Sequence, residues 1–437
     1  MRSEWRTARL ADLGRIVTGK TPPSAVEGSF GEGAAFVTPS DYDGSKYIRR
    51  TARTLTAIGQ QAIRGACVPG NAVMVTCIGS DMGKVALSAS TVFTNQQINS
   101  IIVESEDLPE YVYYNLSQRK QELRAKASGS AQPILNKSAF GATEIELPCA
   151  HAQAAIVDVL GALDDRITLL RQTNATLESI AQALFKSWFI DFDPVRAKAE
   201  GREPEGMEAA TAALFPAAFE DSALGSIPKG WRVSNIRDVV DDVFDGPHAT
   251  PPEADDGPVF LGIKNLTGTG LDLSETRRID EANWQQWTRR VAPMVDDIVF
   301  SYEAALGLFA LIPPGLRCCL GRRLALVRAK PVDGTPHFWF HQFIADPFQR
   351  LLEKHTVHGA TVNRIALKEF PSYAVLDPGS AVRRAFEEIA KPVWQKIHAN
   401  QRQALGLAEL RDTLLPRLIS GKLRLPEAQG QLEDALT

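Results

Sequence analysis

From residue 156 to residue 188 the apolar positions fall at alternating spacings of four and three: Ile156, Leu160, Leu163, Ile167, Leu170, Asn174, Leu177, Ala181, Leu184 and Trp188. A 3.5-residue period predicts one long helix with a narrow apolar seam, which is stable only against another helix. At about 1.5 Å per residue the seam runs for roughly 48 Å, longer than a core helix of a compact domain needs. The same frame read 230 residues later gives Phe386, Ala390, Val393, Ile397, Asn400, Ala404, Leu407, Arg411, Leu414 and Leu418. The two seams are expected to pair antiparallel. Each carries one asparagine, and shifting Asn400 back by 230 puts the two at 170 and 174, either side of the seam centre at 172. An antiparallel pair would therefore bring Asn174 opposite Asn400, where each amide satisfies the other. Pro392 should kink the second helix or mark its true start.

Outside the seams the pattern is mixed. Residues 5–17 predict a short helix with Leu10, Leu13 and Val17 on one face. Strands are predicted at 35–37, 72–76, 85–87 and 100–103, and helical spacing returns over 108–127. Residues 196–210, with Gly201, Pro204 and Gly206 among glutamates, predict an exposed acidic linker. The chain then repeats itself. Trp231-Arg232 echoes Trp5-Arg6, residues 291–301 echo 67–76, 324–327 take the place of 100–103, and the loop 358–362 stands where 129–133 stood. The landmarks keep their order at offsets of 224 to 230, which indicates one unit duplicated. The expected fold class is α+β: two similar mixed α/β domains separated by two long antiparallel helices in a coiled coil. Expected boundaries are 1–149 for the first domain, 150–193 for the first helix and 194–226 for the linker. The second domain takes 227–378, the second helix 379–425 and a tail 426–437.

The chain has 437 residues and a net charge of −4. The acidity concentrates in residues 150–226, with 6 Lys/Arg against 12 Asp/Glu, whereas residues 1–149 hold 16 against 14. The flanking domains are thus close to neutral, which weakens the objection to a polyanionic partner without arguing for one. The five cysteines form no C-x-x-C pair, so reduced thiols and a cytoplasmic location are expected. Neither a signal peptide nor a membrane-spanning run is evident. Residues 14–21 fit the phosphate-loop pattern G-x-x-x-x-G-K-[ST], but a helix is expected before them and Pro22-Pro23 follow at once. Proline lacks the N–H a phosphate would use, so the context is wrong for nucleotide binding. No other catalytic set emerges, and the chain reads as a recogniser or scaffold.

A duplicated reader suits duplex DNA, whose half-sites one turn apart lie about 34 Å from each other. Loop residues able to meet base edges and phosphates are Lys20, Thr21, Ser80, Lys84, Asn95, Gln96, Gln97, Ser130 and Gln132 in the first half. In the second they are Lys264, Asn265, Ser301, Tyr302, Arg322, Arg323, Thr361, Asn363 and Arg364.

Three stretches carry a family resemblance. They are residues 184–198, reading L-F-K-S-W-F-I-D-F-D-P-V-R-A-K, residues 221–231, reading D-S-A-L-G-S-I-P-K-G-W, and residues 414–421, reading L-L-P-R-L-I-S-G. Together with Leu214-Phe215-Pro216 they resemble the specificity (S) subunit of type I restriction–modification enzymes over essentially the whole chain. The resemblance implies two target-recognition domains, each reading half of a split double-stranded DNA sequence. It also implies long helices that space those domains and dock two modification subunits, with restriction subunits joining the complex. S-adenosylmethionine, ATP and Mg would belong to those partners, leaving this chain no catalytic residue, cofactor or metal. One departure stands out. Asn95-Gln96-Gln97 looks like a family feature, yet Gly321-Arg322-Arg323 occupies the matching place in the second half.

Overall fold

The computed structural model describes residues 5–127, 133–331, 334–359 and 362–436. They form two compact units, the first built from Met1–Arg171 with Gln403–Thr437, the second from Gln172–Arg402. Two helices of 40 residues, Ala150–Phe189 and Ser380–Ile419, each contribute one part to each unit. Pro392 is exposed and lies inside the second helix, so it does not mark its start. Proline removes one backbone bond, and here the helix is held by burial on its other face.

In the first unit Arg6–Arg9 pairs antiparallel with Glu144–Leu147. A single turn, Leu10–Leu13, follows, and Gly14–Thr18 is already a strand. The helix expected over 5–17 is therefore confined to its middle. Gly14 explains the break: a Cβ there would lie 2.0 Å from the carbonyl oxygen of Ile102, so the position suits a close strand pairing that only glycine allows. The main sheet runs Gly14–Thr18, Ile98–Val103, Val73–Thr76, Val85–Ser88, Tyr47–Ile48, and a second holds Arg53–Leu55, Phe30–Val37, Val92–Thr94 and Cys67–Val68. All four residues of Val73–Thr76 are buried, as befits a strand covered on both faces. The stretch 108–127 splits into Pro109–Ser117 and Lys120–Ala125. Tyr111, Val112 and Leu116 share a core with Val73, Val75 and Ile101, and with Ile156, Leu160, Leu163, Ile167 and Leu170 of the first long helix. Leu407, Leu414 and Leu418 of the second long helix close the same core.

The second unit follows the same order of elements. Arg232–Asn235 pairs with Ala374–Asp377, and the turn Ile236–Val239 leads into Val240–Asp245. Its main sheet runs Val240–Asp245, Leu324–Ala329, Ile298–Ser301, Phe309–Leu311, and its second holds Arg277–Arg278, Ala254–Leu261 and Cys318–Leu320. The stretch expected as an open linker is partly folded. Asp193–Ala199 is a helix burying Pro194, Val195 and Ala197, and Phe219–Ser222 forms a hairpin with Gly225–Pro228. Val195 and Phe215 enter the core of Trp188 and Trp231. These apolar positions are few and scattered among charges that stay in water, which is why composition alone suggested a linker. Phe386, Ala390 and Ile397 are buried, and Leu177, Leu184 and Val393 pack partly buried against the same cluster. Asn400 Nδ2 donates to Asn174 Oδ1 at 2.8 Å, and Asn174 Nδ2 donates to the Ile397 carbonyl at 3.1 Å. Phe185, further along the first helix, meets Phe386, which precedes Asn400 on the second, with ring centroids 5.4 Å apart. The two segments therefore run antiparallel within this unit.

Candidate nucleic-acid interface

In each unit the main sheet ends in a knot of backbone bonds that gathers several loops. In the first, Gly19 N–H donates to Ile98 O at 3.0 Å and Lys20 N–H to Thr94 O at 2.8 Å. Asn95 N–H donates to Val37 O, Ile98 N–H to Asn95 O, Cys77 N–H to Gln97 O and Leu135 N–H to Cys77 O, all between 2.7 and 3.1 Å. A Cβ on Gly19 would lie 2.0 Å from Asn95 O, so glycine is required for the approach. The phosphate-loop match fails here on geometry. Gly14–Thr18 is a strand, and the N–H groups of Gly19 and Lys20 already serve backbone carbonyls.

The knot brings Lys20, Thr21 and residues 95–97 to one edge. Asn95 is buried. Its Nδ2 donates to Gln97 Oε1 at 3.0 Å and its Oδ1 accepts from Gln97 N–H at 3.1 Å, so it shapes the loop and cannot itself meet a base. Gln96 is exposed, with Oε1 accepting from Thr21 Oγ1 at 2.5 Å. Ser80 is exposed in the adjoining turn, while Lys84 is paired with Asp81 at 2.8 Å. Ser130 and Gln132 lie outside the described residues.

The second unit ties the same knot with other side chains. Gly246 N–H donates to Leu324 O, Gly321 N–H to Leu261 O, Leu324 N–H to Gly321 O, Tyr302 N–H to Arg323 O and Ile365 N–H to Tyr302 O, all between 2.7 and 3.2 Å. Asp245 is the polar hub. Its carboxylate accepts from Tyr302 OH at 3.1 Å and Arg290 Nη1 at 3.0 Å, and lies 2.8 Å from His248 Nε2. Burial first, and then the Asp245 charge, push the Tyr302 phenol well above its ordinary pKa, so it stays a donor.

Three candidates of this half are structural. Tyr302 is spent on Asp245. Ser301 is fully buried, its Oγ accepting from Leu308 N–H at 3.2 Å as Thr76 Oγ1 accepts from Lys84 N–H at 2.9 Å in the first unit. Asn265 is buried with its oxygen on Gly262 N–H and its nitrogen on the carbonyls of Asp272 and Glu275, so no base edge can reach it. Lys264, Arg322, Asn363 and Arg364 are exposed. Arg323 has a left-handed φ of 76° and places its Nε 3.5 Å from Glu303. Thr361 lies outside the described residues. Sequence reasoning missed Asp245, His248 and Arg290. The one available signal was Asp245-Gly246-Pro247-His248, a turn-forming run directly after an alternating strand.

Among the described residues no group of His, Cys, Asp and Glu could hold a metal ion, and no helix is long and apolar enough to cross a membrane. Residues 2–179 match the type I restriction modification DNA specificity domain. Along nearly the full length, the chain is 26% identical over 435 residues to the type I restriction enzyme MjaIX specificity subunit of Methanocaldococcus jannaschii, covering 97% of this chain and 94% of that one. The chain is thus similar, along nearly its whole length, to type I restriction enzyme specificity subunits. A second such relative, the HindI specificity subunit of Haemophilus influenzae, is 23% identical over 479 residues, covering 96% of this chain and 100% of its own. The fold is shared with the crystal structure of a type I restriction–modification S subunit from M. genitalium, at a TM-score of 0.53 and 15% identity over 95% of this chain and 96% of that one.

Proposed function

We propose that this chain is the specificity subunit of a type I restriction–modification system and reads a bipartite sequence in double-stranded DNA, one half with each unit, as a two-domain repeat spaced by an antiparallel coiled coil. The observation that carries the reading is the paired knot: five equivalent backbone bonds at the end of both main sheets, dressed with different exposed polar groups. A protein that must recognise two unlike half-sites needs a common frame and unlike contacts. The chain itself carries out no chemistry. Two modification subunits docked on it would bring S-adenosylmethionine and methylate adenine, and restriction subunits would bring ATP, Mg and cleavage. Methylated adenines are mapped by single-molecule sequencing in a host with and without the gene. A bipartite motif that vanishes on deletion supports the reading, and an unchanged methylome refutes it.

A further inference from the structure

If both units bind duplex DNA as proposed, the difference between the two knots bears on which bases they take. In the first unit Gln96 follows the knot residue Asn95 and Gln97 follows Gln96. Both amide oxygens accept a hydrogen bond within the knot, from Thr21 Oγ1 and Asn95 Nδ2, and neither amide nitrogen donates to a described residue. An amide so placed still has donors and a second oxygen lone pair. It can meet an edge of mixed polarity, such as the N7 acceptor and N6 donor of adenine.

The second unit cannot build that arrangement. A Cβ on Gly321 would lie 2.3 Å from Leu261 O, so the residue standing where Asn95 stands must be glycine. The exposed residue after it, in the place of Gln96, is Arg322. Nearby carboxylates are taken: Asp245 holds Arg290 and His248, and Glu303 faces Arg323. Arg322 forms no ion pair with a described residue. A guanidinium only donates, so it leaves the exocyclic donors of adenine and cytosine unsatisfied. Guanine alone presents two adjacent acceptors, O6 and N7, at the spacing of its fork. We infer that Arg322 is a base-reading residue of the second unit and that the base it reads is guanine.

The test uses the whole chain co-expressed with its modification subunits, with methylated adenines mapped by sequencing for the parent protein, R322A and R322Q. The parent motif should hold a fixed guanine in one half. R322A should relax selection at that position alone, by roughly 5- to 150-fold, with the other half unchanged. R322Q should move the same position toward adenine. Binding of the purified chain to unrelated duplex across a salt series should keep its slope in both variants. A slope that falls by about one with weakening uniform across sequences would make Arg322 a phosphate contact and overturn the inference. So would a bipartite motif left intact in both variants. Failure of the proposed function looks different, because then the parent protein itself directs no bipartite methylation.

Discussion

Tyr114 and His341 are each the sixth residue of the helix that packs on the main sheet of their unit, Pro109–Ser117 and Pro336–Ile344. Asp164 and Trp394 are each the fifteenth residue of a long helix. Each pair is joined by a hydrogen bond, but with opposite chemistry. In the first unit Tyr114 OH donates to Asp164 Oδ2 at 2.6 Å, and Arg411 Nη1 donates to Asp164 Oδ1 at 2.7 Å. In the second, Trp394 Nε1 donates to His341 Nε2 at 3.1 Å, and the place of Arg411 is taken by Ala181, buried. His341 stacks on Phe185 with centroids 5.7 Å apart. One frame thus carries a buried charge in one unit and a neutral aromatic set in the other. The charged version needs every member present. Burial works against the Arg411 guanidinium, and Asp164 with Asp412 more than offsets it, holding the arginine charged. The aromatic version needs only that His341 stay neutral, so that its ring nitrogen can accept.

The strongest way to break this comparison is to remove one member of the charged set. Asp164→Ala leaves Arg411 with only the exposed Asp412 and should cost about 3–5 kcal/mol in urea unfolding, whereas the double variant Asp164→Leu, Arg411→Met should recover part of that loss, the buried Tyr114 hydroxyl still lacking its acceptor. Equal losses in the single and double variants would mean that the charges are solvated and the contrast is empty.

Acid separates the units next. Burial, and then the charge of His337, lower the His341 pKa to about 3, and burial first lowers His398 to about 4. Both lie in the second unit. Their folded pKa values are below the unfolded one, so protonation favours the unfolded chain and stability is lost as pH falls below about 6.5. At pH 5.5 each contributes about one pH unit of linkage, together roughly 3 kcal/mol. In the first unit the clearest acid-sensitive group is Glu122. Hydrogen bonding from Arg119 holds its pKa at about 2, so its contribution begins to fall only below the ordinary glutamate range. Hydrogen exchange at pH 5.5, corrected for intrinsic rates, should therefore show faster opening of the strands Ile298–Ser301 and Leu324–Ala329 before Val73–Thr76 responds. Opening in the reverse order would mean that the buried histidines find protonated conformations within the fold.

The long seams were legible because a 3.5-residue period survives any loop chemistry, and Asn174 could be placed against Asn400 by symmetry alone. The strands around Val75 and Leu326 were legible as apolar runs. What sequence could not supply was the direction of single side chains at the knots. Asn95 and Asn265 look like readers in a string of polar residues, yet both fold back onto backbone groups. The sequence around Asp245 gives no sign of its partners, and only the meeting of three segments makes it a hub. Polar residues carry no periodicity, so their partners are set by tertiary geometry and stay hidden until the chain is folded.

A neutral polar layer sharpens the comparison at a smaller energy. Asn174 is a donor to Ile397 O and an acceptor from Asn400, whereas Asn400 has Asn174 as its side-chain partner among the described residues. The two amides are therefore unequal. Asn174→Leu leaves the buried Asn400 amide with no partner and should cost about 1–3 kcal/mol. Asn400→Leu leaves Asn174 its bond to Ile397 O and orphans one oxygen lone pair, so its cost should be smaller. Replacing both by leucine removes donor and acceptor together and should be close to neutral or stabilising. The loss then moves from stability to register, because a continuous leucine seam no longer penalises a slip of the helices. Urea midpoints for the three variants, with crosslinking between cysteines introduced at facing exposed positions to read register, decide the matter. If Asn400→Leu proves the costlier single change, the directional reading of the amide pair is wrong. If the double variant keeps a unique register, the apolar knobs alone set the alignment and the asparagines serve another purpose.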